Sequence, residues 1–148
     1  QIQYTIPTVR ISSLDEIPSP YLNGMMDKFF DGKLTPMLQT NRGCPFHCTF
    51  CTDGRDEVNK VNNFSIARVQ SEIQYIAEHI PKNTHSLHIS DLNFGMYPRD
   101  QEIAKYIYDI QLKHHYPDFI YISTGKNQKE RKDFLVLKYY WMRQLGKE

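Results

Sequence analysis

Cys44-Pro45-Phe46-His47-Cys48-Thr49-Phe50-Cys51 holds every cysteine of the chain, three thiols at C-x3-C-x2-C spacing. The segment Pro36-Met37-Leu38-Gln39-Thr40 before it has the pattern of a strand, and Asn41-Arg42-Gly43 predicts a turn into the cysteine loop. The sequence therefore predicts three thiols at the end of a strand, with no fourth thiol to join them.

Length and composition indicate a globular domain. The chain has 148 residues, 40% of them hydrophobic, which is enough for one domain with a hydrophobic core. A net charge of +1 gives no electrostatic reason to expect nucleic acid or an anionic membrane as a partner. No apolar run approaches the ~20 residues that span a bilayer. The start at Gln1, without a methionine or a signal-peptide pattern, suggests a piece of a longer protein.

The cysteine count favours a reducing compartment. A disulfide framework uses an even number of cysteines spread along the chain, whereas the three here are clustered. Any disulfide within the cluster would close a very small loop and leave one thiol over. We therefore expect a cytoplasmic protein whose cysteines bind a metal or an iron–sulfur cluster.

Hydrophobic periodicity after residue 36 predicts alternating strands and helices. A helix over 65–80 begins at the N-cap Ser65, and a strand over 86–92 follows it. A second helix, roughly 101–114 and capped by Asp100, leads to a strand over 119–123. A third helix extends to about residue 145, and the proline-punctuated residues 1–35 form a linker that packs on the domain.

This order of elements predicts an α/β fold with parallel strands. Helical connections of a dozen or more residues require parallel pairing and right-handed crossovers. Three such βα units over residues 36–148 make half of a six- or eight-unit barrel, or a small open sheet. Ligands bind where such strands end, so we expect the cysteines, Asp91-Leu92-Asn93 and Ser123-Thr124-Gly125-Lys126 to meet on one face.

The thiol spacing favours a cluster but leaves other interpretations open. A [4Fe–4S] cube usually takes four Cys ligands, so three thiolates leave one iron available to an outside ligand. Zinc prefers four ligands in tetrahedral geometry, and His47 would then have to be the fourth, between two of the cysteines. Thiols that bind no metal are the third interpretation.

Gly43-Cys44-Pro45-Phe46-His47-Cys48-Thr49-Phe50-Cys51 resembles the signature of the radical SAM superfamily, C-x3-C-x-aromatic-C. Ile17-Pro18-Ser19-Pro20-Tyr21-Leu22, Pro36–Thr40, Arg42–Pro45 and Ile89–Gly95 resemble the branch that carries an N-terminal cobalamin-binding domain. The resemblance covers roughly residues 15–127. It implies a partial (β/α)6 barrel, about three βα units of which lie in this chain.

The resemblance also implies cofactors and ligands. Cys44, Cys48 and Cys51 would hold a [4Fe–4S] cluster, and S-adenosylmethionine (SAM) would chelate the open iron. Reductive cleavage of SAM then gives a 5′-deoxyadenosyl radical for hydrogen abstraction or methyl transfer, with an electron donor such as a flavodoxin or ferredoxin. Phe50, at the aromatic position of the motif, would lie near the adenine.

Further SAM contacts follow from the resemblance, each beside a plainer interpretation. The family often has a Gly-Gly-Glu-like segment after the second strand, where this chain has Ser90-Asp91-Leu92-Asn93. Asp91, with Asn93, would contact the methionine ammonium, or both would only cap the loop. Ser123 and Thr124 would donate to SAM or to the strand end. Lys126 would pair with the SAM carboxylate or with an acidic substrate, or remain an exposed loop lysine.

Two other classes of protein stay open. One is a zinc-stabilised binding module, and the other is a catalytically inactive interaction domain that keeps the barrel as a scaffold. An isolated half-barrel would expose an unpaired parallel edge beyond its third strand, which favours self-association and little turnover. The substrate cannot be deduced from these residues.

Overall fold

The computed structural model describes residues 11–55 and 59–124, and its centre is a three-stranded parallel sheet. Strands β1 (Met37–Leu38), β4 (Ser86–Ile89) and β5 (Phe119–Ile122) lie in the order β1-β4-β5. The pairing register joins Met37 to His88 and His88 to Tyr121. Parallel pairing, predicted from the long connections, is thus confirmed.

A small antiparallel ladder flanks the cysteine loop. Its strands are β2 (Asn41–Arg42) and β3 (Asn62–Asn63), and Phe64 N extends it by donating to Thr40 O at 3.0 Å. The predicted strand over 36–40 is therefore shorter than expected. Thr40, its last residue, leaves the parallel sheet and donates its N–H to a side chain instead, as described below. The predicted turn that follows is also corrected, because Asn41–Arg42 pairs as β2.

Two helices cover one face of the parallel sheet. Helix α1 (Ile66–His79) begins where predicted, with Ser65 Oγ accepting from Arg68 N at 3.1 Å. Helix α2 spans Pro98–His114 and starts earlier than predicted. Its N-cap is Tyr97, and Asp100 caps it from inside the first turn by accepting from Tyr97 N at 3.0 Å. In the described ranges no helix is both long and apolar enough to cross a membrane.

The hydrophobic core lies between this sheet and the two helices. Side chains that alternate along the strands point into it, as the pleat requires. On the opposite face Met37, Phe119 and Tyr121 are 53%, 57% and 60% exposed. The core is formed by Leu38, Leu87 and Ile89 from the sheet, Val69, Ile73 and Ile76 from α1, and Ile103, Ile107 and Ile110 from α2.

The segment before β1 packs onto the same body. Ser19 Oγ donates to Glu72 of α1 at 2.6 Å, and Leu14 and Tyr21 are buried. The Tyr21 hydroxyl donates to Met37 O at 2.7 Å and accepts from Met37 N at 3.1 Å. Tyr21 therefore occupies the free edge of β1, which limits its pairing with another strand. The predicted third helix and Lys126 lie outside the described residues.

Candidate functional site

The cysteine loop follows β2 and has free thiols. Cys44 and Cys51 are half-buried, Cys48 is exposed, and Cys51 N donates to Cys48 O at 3.0 Å in a tight turn. In the part of the chain that the structure describes, no three His, Cys, Asp or Glu side chains are grouped closely enough to hold a metal ion. Three reduced thiols on one loop suit an iron–sulfur cluster chemically, and the loop would have to close around it.

Gly54 packs directly against this loop. A Cβ at position 54 would lie 2.5 Å from Cys48 O and 2.8 Å from Cys48 N, so only glycine fits there without displacing the Cys48 backbone. Sequence reasoning placed Gly54 in a polar loop without a role. Its position three residues after Cys51 was the one available signal.

Asp91 lies beneath the residues that lead into the cysteine loop. Its Oδ1 accepts from Thr40 N at 2.7 Å and from Asn41 N at 3.2 Å. Its Oδ2 accepts from the Thr40 hydroxyl and, at 2.9 Å, from Asn41 Nδ2. Burial raises the pKa of Asp91, while these hydrogen bonds and the Arg99 charge act to lower it. The four contacts favour the loop-capping interpretation of Asp91 over direct contact with a cofactor.

Arg99, in the first turn of α2, braces the same residues from the other side. Its Nη1 donates to Thr40 O at 3.2 Å, to Thr40 Oγ1 at 3.3 Å and to Asn63 Oδ1 at 3.3 Å. Its Nη2 donates to Phe64 O at 2.6 Å. Sequence reasoning did not identify Arg99, because an arginine at a helix start carries no pattern that predicts a buried partner. Arg99 thus joins α2 to β3 and to the entry of the cysteine loop.

The ends of the three parallel strands meet beside the cysteines. Asn93, after β4, donates from Nδ2 to Cys44 Sγ at 3.3 Å, and Phe94 N donates to Ser123 O after β5 at 2.8 Å. Thr124 Oγ1 is buried and has no hydrogen-bond partner among residues 11–55 and 59–124. The loop over 91–97 therefore touches both the cysteine loop and the end of β5.

Two residues of the cysteine loop, His47 and Phe50, are exposed. Phe50 is 87% exposed, so its ring is available to a ligand or to another segment. The exposed His47 has Nε2 2.9 Å from Asn59 Nδ2. A fourth-ligand role for His47 in a zinc site would have to compete with that contact.

Comparison with known proteins finds methyltransferases. No family model matches the chain. It is 36% identical over 131 residues to 2-(S-pantetheinyl)-carbapenam-3-carboxylate methyltransferase of Streptantibioticus cattleyicolor, which is 84% of this chain and 19% of that protein. It is 34% identical over 128 residues to the cobalamin-dependent radical SAM methyltransferase TokK of Streptomyces tokunonensis, which is 82% of this chain and 18% of that protein.

A third relative matches a shorter part of the chain. An uncharacterized methyltransferase of Pyrococcus horikoshii is 35% identical over 72 residues, 47% of this chain and 16% of that protein. The chain spans about a fifth of the length of the curated relatives it matches. All three relatives are named methyltransferases, and this similarity supports an enzymatic function.

Proposed function

We propose that the chain is the cluster-binding part of a cobalamin-dependent radical SAM methyltransferase. The observation that carries the proposal is the C-x3-C-x2-C loop, which follows β2 a few residues after the parallel strand β1 ends, in a chain similar to a relative of that name. Strands β1, β4 and β5 would be the first three of a (β/α)6 barrel. Among the reactions that share this cysteine motif, the names of the relatives favour methyl transfer.

Each strand end would contribute to the site. Cys44, Cys48 and Cys51 would ligate three irons of a [4Fe–4S] cluster, and the bound cluster with SAM supplies one-electron cleavage of the sulfonium bond. Asp91 and Arg99 hold the Thr40–Asn41 backbone, which fixes where the cysteine loop begins.

Contacts to SAM remain part of the same proposal. Phe50 is exposed enough to pack on the adenine, and Ser123 lies at the end of β5 on the side of the Asn93 loop. Lys126 would follow from the same strand end and pair with the SAM carboxylate. A cobalamin domain outside this chain and a flavodoxin- or ferredoxin-type electron donor complete the proposed enzyme.

The test is anaerobic reconstitution with iron and sulfide, followed by iron and sulfide analysis, absorption spectroscopy and electron paramagnetic resonance (EPR). We expect about four irons per chain for a single cube, and a change in the EPR spectrum of the reduced cluster when SAM is added. Replacing any one of the three cysteines by alanine should lower the iron content, whereas Thr49→Ala, an exposed position between them, should not.

Three outcomes would contradict the proposal. Binding of zinc in preference to iron would favour the zinc-stabilised module. A cluster whose EPR spectrum does not change when SAM is added would favour the catalytically inactive interaction domain. Full iron content in Cys44→Ala, Cys48→Ala and Cys51→Ala would remove the cysteine loop from the site.

Turnover of SAM by this chain alone is expected to be slight, because further barrel strands are needed. Rapid formation of 5′-deoxyadenosine by this chain would overturn that expectation.

A further inference from the structure

An amide hydrogen bond reaches a cysteine sulfur across the site. Asn93 Nδ2 donates to Cys44 Sγ at 3.3 Å, between residues 49 apart in the sequence. Both side chains are half-buried. The Asn93 amide therefore donates to a residue of the cysteine loop. This contact differs from capping the backbone of the loop in which Asn93 itself lies.

The Asn93 loop is held on both sides, so this donor is well placed. Two residues earlier, Asp91 is 1% exposed and anchored to Thr40 and Asn41. One residue later, Phe94 N donates to Ser123 O at 2.8 Å. Anchors this close leave the Asn93 backbone little freedom, so the donor keeps its place when the cysteine loop closes around a cluster.

We propose that Asn93 sets the reduction potential of the cluster through its N–H···S bond to Cys44. The inference rests on the proposed function, because it assigns Cys44 as a cluster ligand. Hydrogen bonds to ligand sulfurs are among the determinants of iron–sulfur potentials. When one electron from a reductant such as dithionite enters the cluster, negative charge on the sulfurs increases. A donor to sulfur therefore stabilises the reduced state and raises the potential.

The amide is suited to this task because it is neutral. A lysine at the same place would also raise the potential, but by adding a full charge that alters ligand binding nearby. An aspartate would offer no donor and would repel the thiolate. Asn93 adds one donor and leaves the net charge of the site unchanged.

The experiment is a redox titration of the reconstituted chain monitored by EPR. Asn93→Leu keeps a similar volume and removes the donor, and Asn93→Gln keeps an amide. The bond exists in both redox states, so its loss shifts the potential by the amount that the bond strengthens on reduction; taking the whole value of one hydrogen bond as the upper limit, the equilibrium constant for reduction falls by up to about fivefold. At 59 mV per tenfold for a one-electron couple, this is a fall of up to about 40 mV in midpoint potential. Leu92→Ala, at the exposed neighbouring position, is the control and should titrate like the parent chain.

The outcomes separate this inference from the proposed function. If the parent chain assembles no [4Fe–4S] cluster, the proposed function fails and the Asn93 role fails with it. If the cluster forms but Asn93→Leu has the same midpoint potential as the parent chain and the Leu92→Ala control, only the Asn93 role is overturned. A higher potential in Asn93→Leu would also overturn it.

A second measurement covers the case in which Asn93→Leu does not retain a cluster. Pulsed EPR of the reduced parent chain labelled with ¹⁵N-asparagine should show a nitrogen coupling from Nδ2. That coupling should vanish in Asn93→Gln, whose amide carries no label. Its absence in the parent chain would refute the N–H···S bond directly.

Discussion

Gly54→Ala should disturb the cysteine loop while leaving the rest of the fold intact. The new Cβ would lie 2.5 Å from Cys48 O, and this distance must lengthen to the 3.4 Å at which ordinary contact begins. The obstacle is backbone, so no side-chain rotation relieves it. Such a displacement exceeds the ~0.5 Å within which a binding constellation must be held.

Two measurements report this displacement. Iron per chain after anaerobic reconstitution should fall by at least about half, since misplaced ligands commonly cost tenfold or more in metal affinity. In the metal-free chain, the Cys51 amide should exchange faster, because its hydrogen bond to Cys48 O depends on the position of Cys48.

Thr52→Ala, at an exposed position in the same short turn, is the matched control and should leave both measurements unchanged. Far-UV circular dichroism should show the same helix content in both variants. Unchanged exchange at Cys51 together with full iron content in Gly54→Ala would refute the close-packing argument.

Three further predictions concern the charged residues beneath the cysteine loop. Asp91→Ala leaves two backbone donors unpaired and should lower the free energy of unfolding, measured in urea, by about 3 kcal/mol. Asp118→Ala removes a half-exposed ion pair with His85 and should lower it by at most ~1 kcal/mol. Equal effects of the two variants would refute the role of Asp91 in holding Thr40 and Asn41. Arg99→Met removes four hydrogen bonds and should lower the free energy of unfolding by about 2 kcal/mol. Arg55→Met, at an exposed position, is the near-neutral control. Equal losses in the two variants would refute the role of Arg99 in holding Thr40 and Phe64. Burial raises the pKa of Asp91 and Asp100 above the unfolded-chain value of 3.8. The stabilisation linked to their protonation is therefore fully present below pH 3.8 and is lost as the pH rises through the folded-state pKa values, whereas their hydrogen bonds to backbone N–H groups remain. Asp100→Asn should therefore flatten the dependence of unfolding free energy on pH in that window, and an unchanged slope would contradict the assignment.

The helices show how far local pattern reaches. Helix α1 was predicted almost to the residue, because Ser65 and an isoleucine stripe define its start and its buried face within one stretch of chain. The predicted start of α2, near residue 101, lies after the observed start at Pro98. The sequence suggests Asp100 as the N-cap, but its carboxylate accepts from Tyr97 N and Gly95 N, and Pro98 suits the first helical position.

The candidate site was predicted in part. Strand order placed the loops after β1, β4 and β5 at one edge of the sheet, and the contacts of Asn93 with Cys44 and of Phe94 with Ser123 lie there. The SAM contacts expected of Phe50, Asp91, Asn93, Ser123 and Lys126 stay predictions. What the sequence did not reveal was which polar residue contacts which thiol.

The cysteine spacing, the alternation of strands and helices and the two amphipathic helices were determined by the sequence alone, since each depends on residues near one another in the chain. Parallel pairing followed from the length of the helical connections, whereas the order of the strands in the sheet is a property of the tertiary structure. Tertiary structure alone decided that Asp91 and Arg99 clamp Thr40, that Gly54 packs on Cys48, and that Asn93 donates to Cys44. Apart from the Gly54 packing, these contacts join residues 49 to 59 positions apart, and hydrogen bonding at such separation leaves no periodic trace in the sequence. The physical reason is that burial and approach distance are properties of the packed chain, whereas periodicity is a property of a single segment.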